Sequence, residues 1–278
     1  MTDSRLAVEQ RARDGISNAV ELVDVCCAYR TAHGQDVRGL NGCTLAIPMN
    51  SSVAVVGASA SGKTTLLKTI AGLRPVDCGH LGFPGYGDKR PADAIGVMFQ
   101  GSSHFPWRTV ERNLSFRLEL AGWPKAERQR RAAELCQLVG MEPTVYLRRY
   151  PSELSGGQLR RMELAMTFSA VPRLWLLDEA TTGLDFLARQ DIQKLIEAMM
   201  LQSGITTLMV THDVPEAVRL ADLVAVMSGG RICALVPINL PRPRTAGGLP
   251  GLEADQARLV DQIVVLMRSA MGEATRCD

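Results

Sequence analysis

No apolar run in these 278 residues approaches the roughly 18 that a membrane-spanning helix needs. The N-terminal stretch MTDSRLAVEQRARDGIS is polar and lacks the apolar core of a secretory signal peptide. Both absences point to a chain made and kept in the cytosol, free to sit against a membrane from that side. Net charge is also scarce: 31 Lys and Arg against 29 Asp and Glu leave +2, which removes the global electrostatic case for a nucleic-acid partner. Arginines do cluster, at Arg128, Arg130 and Arg131, at Arg148 and Arg149, and at Arg160 and Arg161; solvated helix faces are the ordinary account of such runs. The 7 cysteines, Cys26, Cys27, Cys43, Cys78, Cys136, Cys233 and Cys277, show no CxxC spacing. An odd, scattered set argues against a disulfide framework or a zinc site, so buried or surface thiols are expected.

What is present is the material of one large domain or two small ones, with 46% hydrophobic and 22% charged residues. VELVDVCCAY and GCTLAIP read as strands around the turn-rich RTAHGQ. SSVAVVG, AIGVMF, RLWLLD, ITTLMV and DLVAVM are short apolar runs, the pattern of parallel strands covered on both faces. GRICALV fits a last strand. A helix is predicted from Gly62 to about Gly72. Between about residues 100 and 170 the strand series is interrupted by charged, helical sequence such as PKAERQRRAAELCQLVG, ending in glycine. This segment reads as a helical subdomain inserted into an α/β core. Residues 1–18 read as a loose tail, PRPRTAGGLPG as a linker and LEADQARLVDQIVVLMRSAMG as a closing amphipathic helix. No internal repeat is visible.

Two stretches have the composition of an anion trap. Gly57-Ala58-Ser59-Ala60-Ser61-Gly62-Lys63-Thr64 fits G-x-x-x-x-G-K-[ST] and lies between a predicted strand and a predicted helix, as that mechanism demands. Backbone N–H groups of such a loop, with Thr65 just beyond it, wrap the β-phosphate; Lys63 reaches the β- and γ-phosphates, and the Thr64 hydroxyl ligates Mg²⁺. LWLLDEA supplies the partner: an apolar strand ending on Asp178, suited to the Mg²⁺ shell, followed by Glu179, suited to act as general base on water. The second stretch, ELSGGQLRRMELAMTF, begins at Glu153 and also joins glycines to a helix start.

Taken in order, the motifs resemble those of the nucleotide-binding subunit of an ABC transporter, over about residues 19–238. Tyr29 matches the aromatic that stacks on adenine. Gly57–Thr64 matches the P-loop, Gln100 in MFQGSSHFPWRTVERN the Q-loop, and Leu154-Ser155-Gly156-Gly157-Gln158 the signature. Asp178 and Glu179 match Walker B and the base after it, Asp185 at the end of TTGLD the D-loop, and His212 in VTHDVPEA the switch histidine. The resemblance implies a P-loop NTPase (RecA-like) α/β core with a parallel sheet, an antiparallel β subdomain and an inserted helical subdomain. It implies binding and hydrolysis of ATP with Mg²⁺ held by Thr64, Asp178 and Gln100, and catalysis by Glu179, His212 and Gln100. It also implies a head-to-tail homodimer in which each signature closes over the γ-phosphate held by the partner's P-loop, seated on transmembrane permease subunits at the cytoplasmic face of the inner membrane. Two departures stand out. Ala60 occupies a position where relatives usually have glycine, adding strain of about 1 kcal/mol if φ is positive there. After the signature, Arg160-Arg161 and Ala165-Met166 replace the usual Gln-Arg and Ala-Arg-Ala, which predicts altered packing with the chemistry intact.

PWRTVERN beside Gln100 and LPRPR at Leu240–Arg244 resemble the importers for nitrate, sulfonates and taurine, which work with a periplasmic or extracellular solute-binding protein. Nothing in the chain is placed to contact the solute. The competing classes are a soluble ABC-type ATPase acting on DNA or the ribosome, a P-loop GTPase or kinase, and a regulatory or degenerate cassette that binds ATP without turnover. The short span from Gln100 to Leu154, the single P-loop, the lack of NKxD and the presence of Lys63, Asp178, Glu179 and His212 weigh against each in turn.

Overall fold

The computed structural model describes residues 17–30, 34, 36–88, 90, 91, 94–245 and 251–274. Most of the expected tail, and Cys277, lie outside the described residues. Strands β1 (Asn18–Arg30) and β2 (Asp36–Pro48) pair antiparallel, and β4 (Cys78–Gly82) adds to the free edge of β1. The central sheet is built from β3 (Ser52–Val56), β5 (Ile95–Met98), β6 (Leu174–Asp178), β7 (Thr206–Thr211), β8 (Leu223–Ser228) and β9 (Arg231–Pro237). Its order is β5-β6-β7-β3-β8-β9, parallel throughout except for β9, which turns back antiparallel to β8.

The apolar runs behave as covered parallel strands should. β3, β6 and β7 are buried at every position. Because successive side chains point to opposite faces, each run feeds two cores. Ala54, Val56, Trp175, Leu177 and Met209 face the helical side. Val53, Val55, Leu174, Leu176 and Leu208 face the side covered by β1, β2 and helix α1 (Lys63–Ile70). Between β5 and β6 the chain forms α2 (Val110–Leu114), α3 (Phe116–Leu120), α4 (Lys125–Leu138), α5 (Pro143–Tyr146) and α6 (Gly156–Thr167). Of these α2, α4 and α6 pack on one another, and α6 bears on β5. Helices α7 (Phe186–Ser203), α8 (Val214–Leu220) and α9 (Leu252–Ala274) complete the layer, with α9 lying on α8 and β8.

Three sequence expectations need correction. Cys26 and Cys78 are a register pair of β1 and β4, with Cα atoms 5.0 Å apart, and are joined as a disulfide rather than free. β4 itself carries no apolar alternation, so nothing in the sequence placed Cys78 opposite Cys26. Cys27, Cys43 and Cys136 are buried thiols, Cys233 is an exposed one, and burial pushes Cys43 up to about 12. Second, LPRPR is no free linker. Arg242 reaches Asp222, Glu197, Ser52 and the Leu220 carbonyl; Arg244, 5% exposed, is held by the carbonyls of Ala221, Ile238 and Leu240. The two cations are drawn in by the buried Glu197 and by Asp222. Residues 246–250 of the expected linker lie outside the described residues. Third, Arg160 is not on a solvated face but is 8% exposed, and Arg161 donates to the Val139 carbonyl at 2.7 Å.

Candidate active site

The glycine-rich loop leaves β3 at Val56 and enters α1 through Gly62, whose φ is 106°. A Cβ on Gly62 would run into the Gly39 carbonyl oxygen, so glycine is required there twice over. Ala60 sits at φ 62°, the left-handed region, so the conditional cost anticipated for alanine applies. Helices α6, α7 and α8 are each capped by their own Ser155, Asp185 or Asp213 side chain, whereas α1 has no side-chain cap. Its first N–H groups are therefore left for a ligand, at the positive end of the helix dipole. The Lys63 ammonium donates to the carbonyls of Gly57 (2.9 Å) and Ala58 (2.8 Å) and reaches Ser61 Oγ at 3.4 Å. Burial holds its pKa below the usual lysine value, opposed by the charges of Glu179 and Asp178.

The carboxylates stand at the C-terminal end of β6. Asp178 is 2% exposed, and Thr64 Oγ1 donates to its Oδ1 at 3.4 Å. Burial raises its pKa, against the Thr64 hydrogen bond and with help from the Glu179 charge. Glu179 has φ 49°, and this left-handed turn projects its carboxylate toward Gln100, Thr182 and His212. Gln100 Nε2 donates to Oε2 at 2.8 Å and Thr182 Oγ1 to the same atom at 3.1 Å, while His212 Nδ1 stands 3.3 Å from Oε1. Tyr29, Ser59, Ala60, Ser61, Lys63, Thr64, Thr65, Gln100, Glu179 and His212 line one cleft of about 280 Å³. The face of Tyr29 carries the Arg74 guanidinium, 4.3 Å from the ring centroid. Thr64, Gln100 and Asp178 also border an adjoining cleft of about 520 Å³.

The structure thus brings most of the residues expected at the nucleotide to one cleft; Gly57 and Ala58 accept from Lys63 without lining it, and Asp178 borders the adjoining cleft. The signature does not line the cleft. Ser155 accepts from Gln158 N while Gln158 Oε1 accepts from Ser155 N, a reciprocal cap, and Gln158 Nε2 donates to the Tyr146 hydroxyl at 3.0 Å. Asp185 likewise caps α7 through Ala188 N. Sequence reading missed Thr182, His104, Arg160 and Glu163. The last two were detectable as an i, i+3 pair of opposite charge on one helix.

The donors around Thr64 suit Mg²⁺. A hydroxyl and a buried carboxylate are hard oxygen ligands within reach of each other, and among the described residues Asp178 receives one side-chain hydrogen bond to offset its burial.

Sheet order, the inserted helical layer and a P-loop facing a strand-end carboxylate pair define the fold of the ABC-type P-loop ATPases. A profile of the ABC transporter family matches residues 40–182. A relative from Ralstonia nicotianae, an aliphatic sulfonates import ATP-binding protein (SsuB), is 42% identical over 224 residues, covering 79% of this chain and 76% of the relative. An Fe(3+) ions import ATP-binding protein (FbpC 1) from Rhodococcus jostii is 36% identical over 245 residues, covering 86% of this chain and 67% of the relative. A dimeric ATP-binding cassette solved in a post-hydrolysis state with ADP and Pi superposes with a TM-score of 0.69 at 24% identity, over 80% of this chain and 100% of that one. The chain belongs to the ABC transporter family, as an ATP-binding subunit with ATPase activity.

Proposed function

We propose that this subunit powers solute uptake by hydrolysing ATP with Glu179 as general base. The observation that carries this is the Glu179 carboxylate, turned into the nucleotide cleft by a left-handed backbone and met there by Gln100, Thr182 and His212. Lys63 and the uncapped start of α1 hold the phosphates, with Gly57 through Thr65 around them, and Tyr29 stacks on the base. Thr64, Asp178 and Gln100 would hold Mg²⁺, which when bound would offset negative charge on the phosphates. Glu179 accepts the proton of the attacking water, and His212 and Gln100 orient that water and the γ-phosphate.

Ser155, Gly156, Gly157, Gln158 and Asp185 serve the partner subunit's nucleotide in a head-to-tail homodimer; their standing outside the cleft of their own chain supports that reading. The dimer sits on transmembrane permease subunits at the cytoplasmic face of the membrane and takes solute from an external binding protein. Among the described residues no helix is long and apolar enough to cross a membrane itself. The direction is import and the solute a small anion of the nitrate, sulfonate or taurine kind. PWRTVERN, LPRPR and the likeness to a sulfonate import protein support this.

Glu179→Gln tests the core of the proposal. It should bind ATP with unchanged affinity, lose about 10²-fold or more of its turnover, and accumulate as an ATP-bound dimer on size-exclusion chromatography. Wild-type turnover in that variant would overturn the assignment.

A further inference from the structure

A ring of contacts joins the loop that carries Gln100 to the backbone that carries Glu179. Arg160 lies on α6, 8% exposed. Its Nη2 donates to the Glu179 carbonyl at 2.8 Å, its Nε to the Ala180 carbonyl at 2.5 Å, and its Nη1 to Glu163 Oε2 at 3.0 Å. Glu163, 4% exposed, turns its other oxygen the opposite way: Oε1 accepts from Ser103 N at 3.2 Å and lies 2.9 Å from His104 Nδ1. Gln100 Nε2 donates to Glu179 Oε2. From Gln100 the backbone runs three residues to Ser103, and the ring is closed.

Each part of this arrangement has a physical reason. The φ of 49° at Glu179 is one that a residue with a Cβ keeps only when its surroundings over-determine it. Arg160 supplies that determination by satisfying two successive carbonyls of the turn. Only a planar guanidinium presents several donors in fixed directions; an ammonium cannot reach all three acceptors. A cation this deep needs an anion, and Glu163 provides it one helical turn away. Glu163 then uses its other oxygen on the Gln100 segment.

We propose that Arg160 and Glu163 are positioning residues for ATP hydrolysis. They hold the backbone turn that aims the Glu179 carboxylate, and through Ser103 and His104 they make that aim depend on where the Gln100 loop sits. A displacement of the loop is thereby passed to the base by two routes, the Gln100 side chain and the Glu163–Arg160 pair. This rests on Glu179 being the general base.

The test is a double-mutant cycle on the full-length protein, with Arg160→Lys, Gln100→Ala and the pair. Alongside kcat and KM it follows ATP affinity on a Glu179→Gln background and thermal unfolding. Arg160→Lys keeps the charge and loses the fork, so kcat should fall about 10-fold or more while KM and ATP affinity stay within about threefold. The pair should lose several-fold less than the product of the single losses, because either change already opens the ring. Should Arg160→Lys fail to fold, His104→Ala in place of it removes a contact at the loop end of the ring and should couple to Gln100→Ala in the same sense. A kcat within twofold of wild type, or losses that multiply, would overturn the proposal. Glu179→Gln turning over like wild type would instead mean that the base is wrongly assigned, which is a separate result.

Discussion

Removing Glu197 should unfasten the C-terminal segment without touching catalysis. Its carboxylate is buried on α7, 2% exposed, and accepts four hydrogen bonds. Oε1 takes Arg244 N at 2.7 Å and Arg242 Nη1 at 3.3 Å; Oε2 takes the Thr245 N–H at 2.9 Å and the Thr245 hydroxyl. In Glu197→Ala two backbone N–H groups lose their acceptor, each worth about 1–3 kcal/mol when buried. Among the described residues, Arg242 and the buried Arg244 are then left with Asp222 as their nearby carboxylate. Breaking a buried ion pair from one side costs about 3–5 kcal/mol. These losses overlap, so about 3–5 kcal/mol in total is expected, and less for Glu197→Gln, which keeps a carbonyl oxygen. The network meets the sheet at Ser52 and Asp222, where β3 and β8 begin, while the phosphate loop follows the other end of β3. Five residues of strand put about 16 Å between them. Urea unfolding followed by far-UV circular dichroism, with ATPase assayed on the same preparation below the transition, measures both halves. A loss under about 1 kcal/mol would mean that water satisfies these donors, and a folded but inactive variant would refute the separation from the site.

Ala60→Gly should leave ATPase within about tenfold of wild type and stability within about 1 kcal/mol, because relief at φ 62° is offset by the extra freedom of glycine in the unfolded chain. A hundredfold gain in turnover would show that the natural loop is crippled. Tyr29→Ala should weaken ATP binding by about 1–3 kcal/mol in a calorimetric titration, and GTP should also be hydrolysed, since stacking reads any purine; unchanged affinity would make Tyr29 a packing residue only. Asp222 gives a pH test. Burial pushes its pKa up, but hydrogen bonds from the Ser52 backbone and Arg242 outweigh that and hold it below the usual value. A carboxyl depressed in the folded state contributes stability above its unfolded pKa of about 3.9 and loses it as pH falls through and below that range. The stability gap between wild type and Asp222→Asn should therefore be full at pH 7 and shrink below about pH 4. A gap independent of pH would sink the assignment.

The parallel sheet was legible because its strands are buried on both faces, so each is a short apolar run with little polar interruption. The phosphate loop was legible because its chemistry demands residue types at fixed spacing in one continuous stretch. β4 was not, since CGHLG is glycine-rich and its first three residues are exposed. It is a strand because the edge of β1 offers it partners, which is a tertiary fact. The Cys26–Cys78 pair was hidden for the same reason. Arg160 and Arg242 show a different limit. Arginines read as solvated unless a buried carboxylate is known to wait for them, and Glu163 and Glu197 are ordinary helix residues until the fold encloses them. At the site, the sequence named Gln100, Glu179 and His212 separately. That all three meet at one carboxylate depends on the loops after β5, β6 and β7 converging, because those strands lie side by side in the sheet.

The two glycine-rich helix starts differ in the one respect that matters for an anion. α1 opens without a side-chain cap, and its loop carries a lysine whose pKa burial lowers, opposed by the charges of Asp178 and Glu179. α6 opens with a closed reciprocal cap between Ser155 and Gln158, so its first N–H groups are already partly satisfied. The first cradle is built to hold a phosphate by itself. The second is rigid, exposed at Ser155 and Gly156, and outside its own chain's cleft. A capped start has less to offer a free anion than an open one, but it presents fixed dipoles and a glycine surface to a phosphate delivered already bound. That asymmetry is what a composite site requires. If both cradles were open, each would compete for nucleotide and the dimer would gain nothing from bringing them together. In the proposed composite site, with one cradle open and one capped, the P-loop would decide binding and the signature would contribute only on closure. The Arg160–Glu163 pair lies on the same helix α6 that carries the signature. In the proposed head-to-tail dimer, movement of that helix would be linked both to the partner's phosphate and to the backbone of its own chain's Glu179.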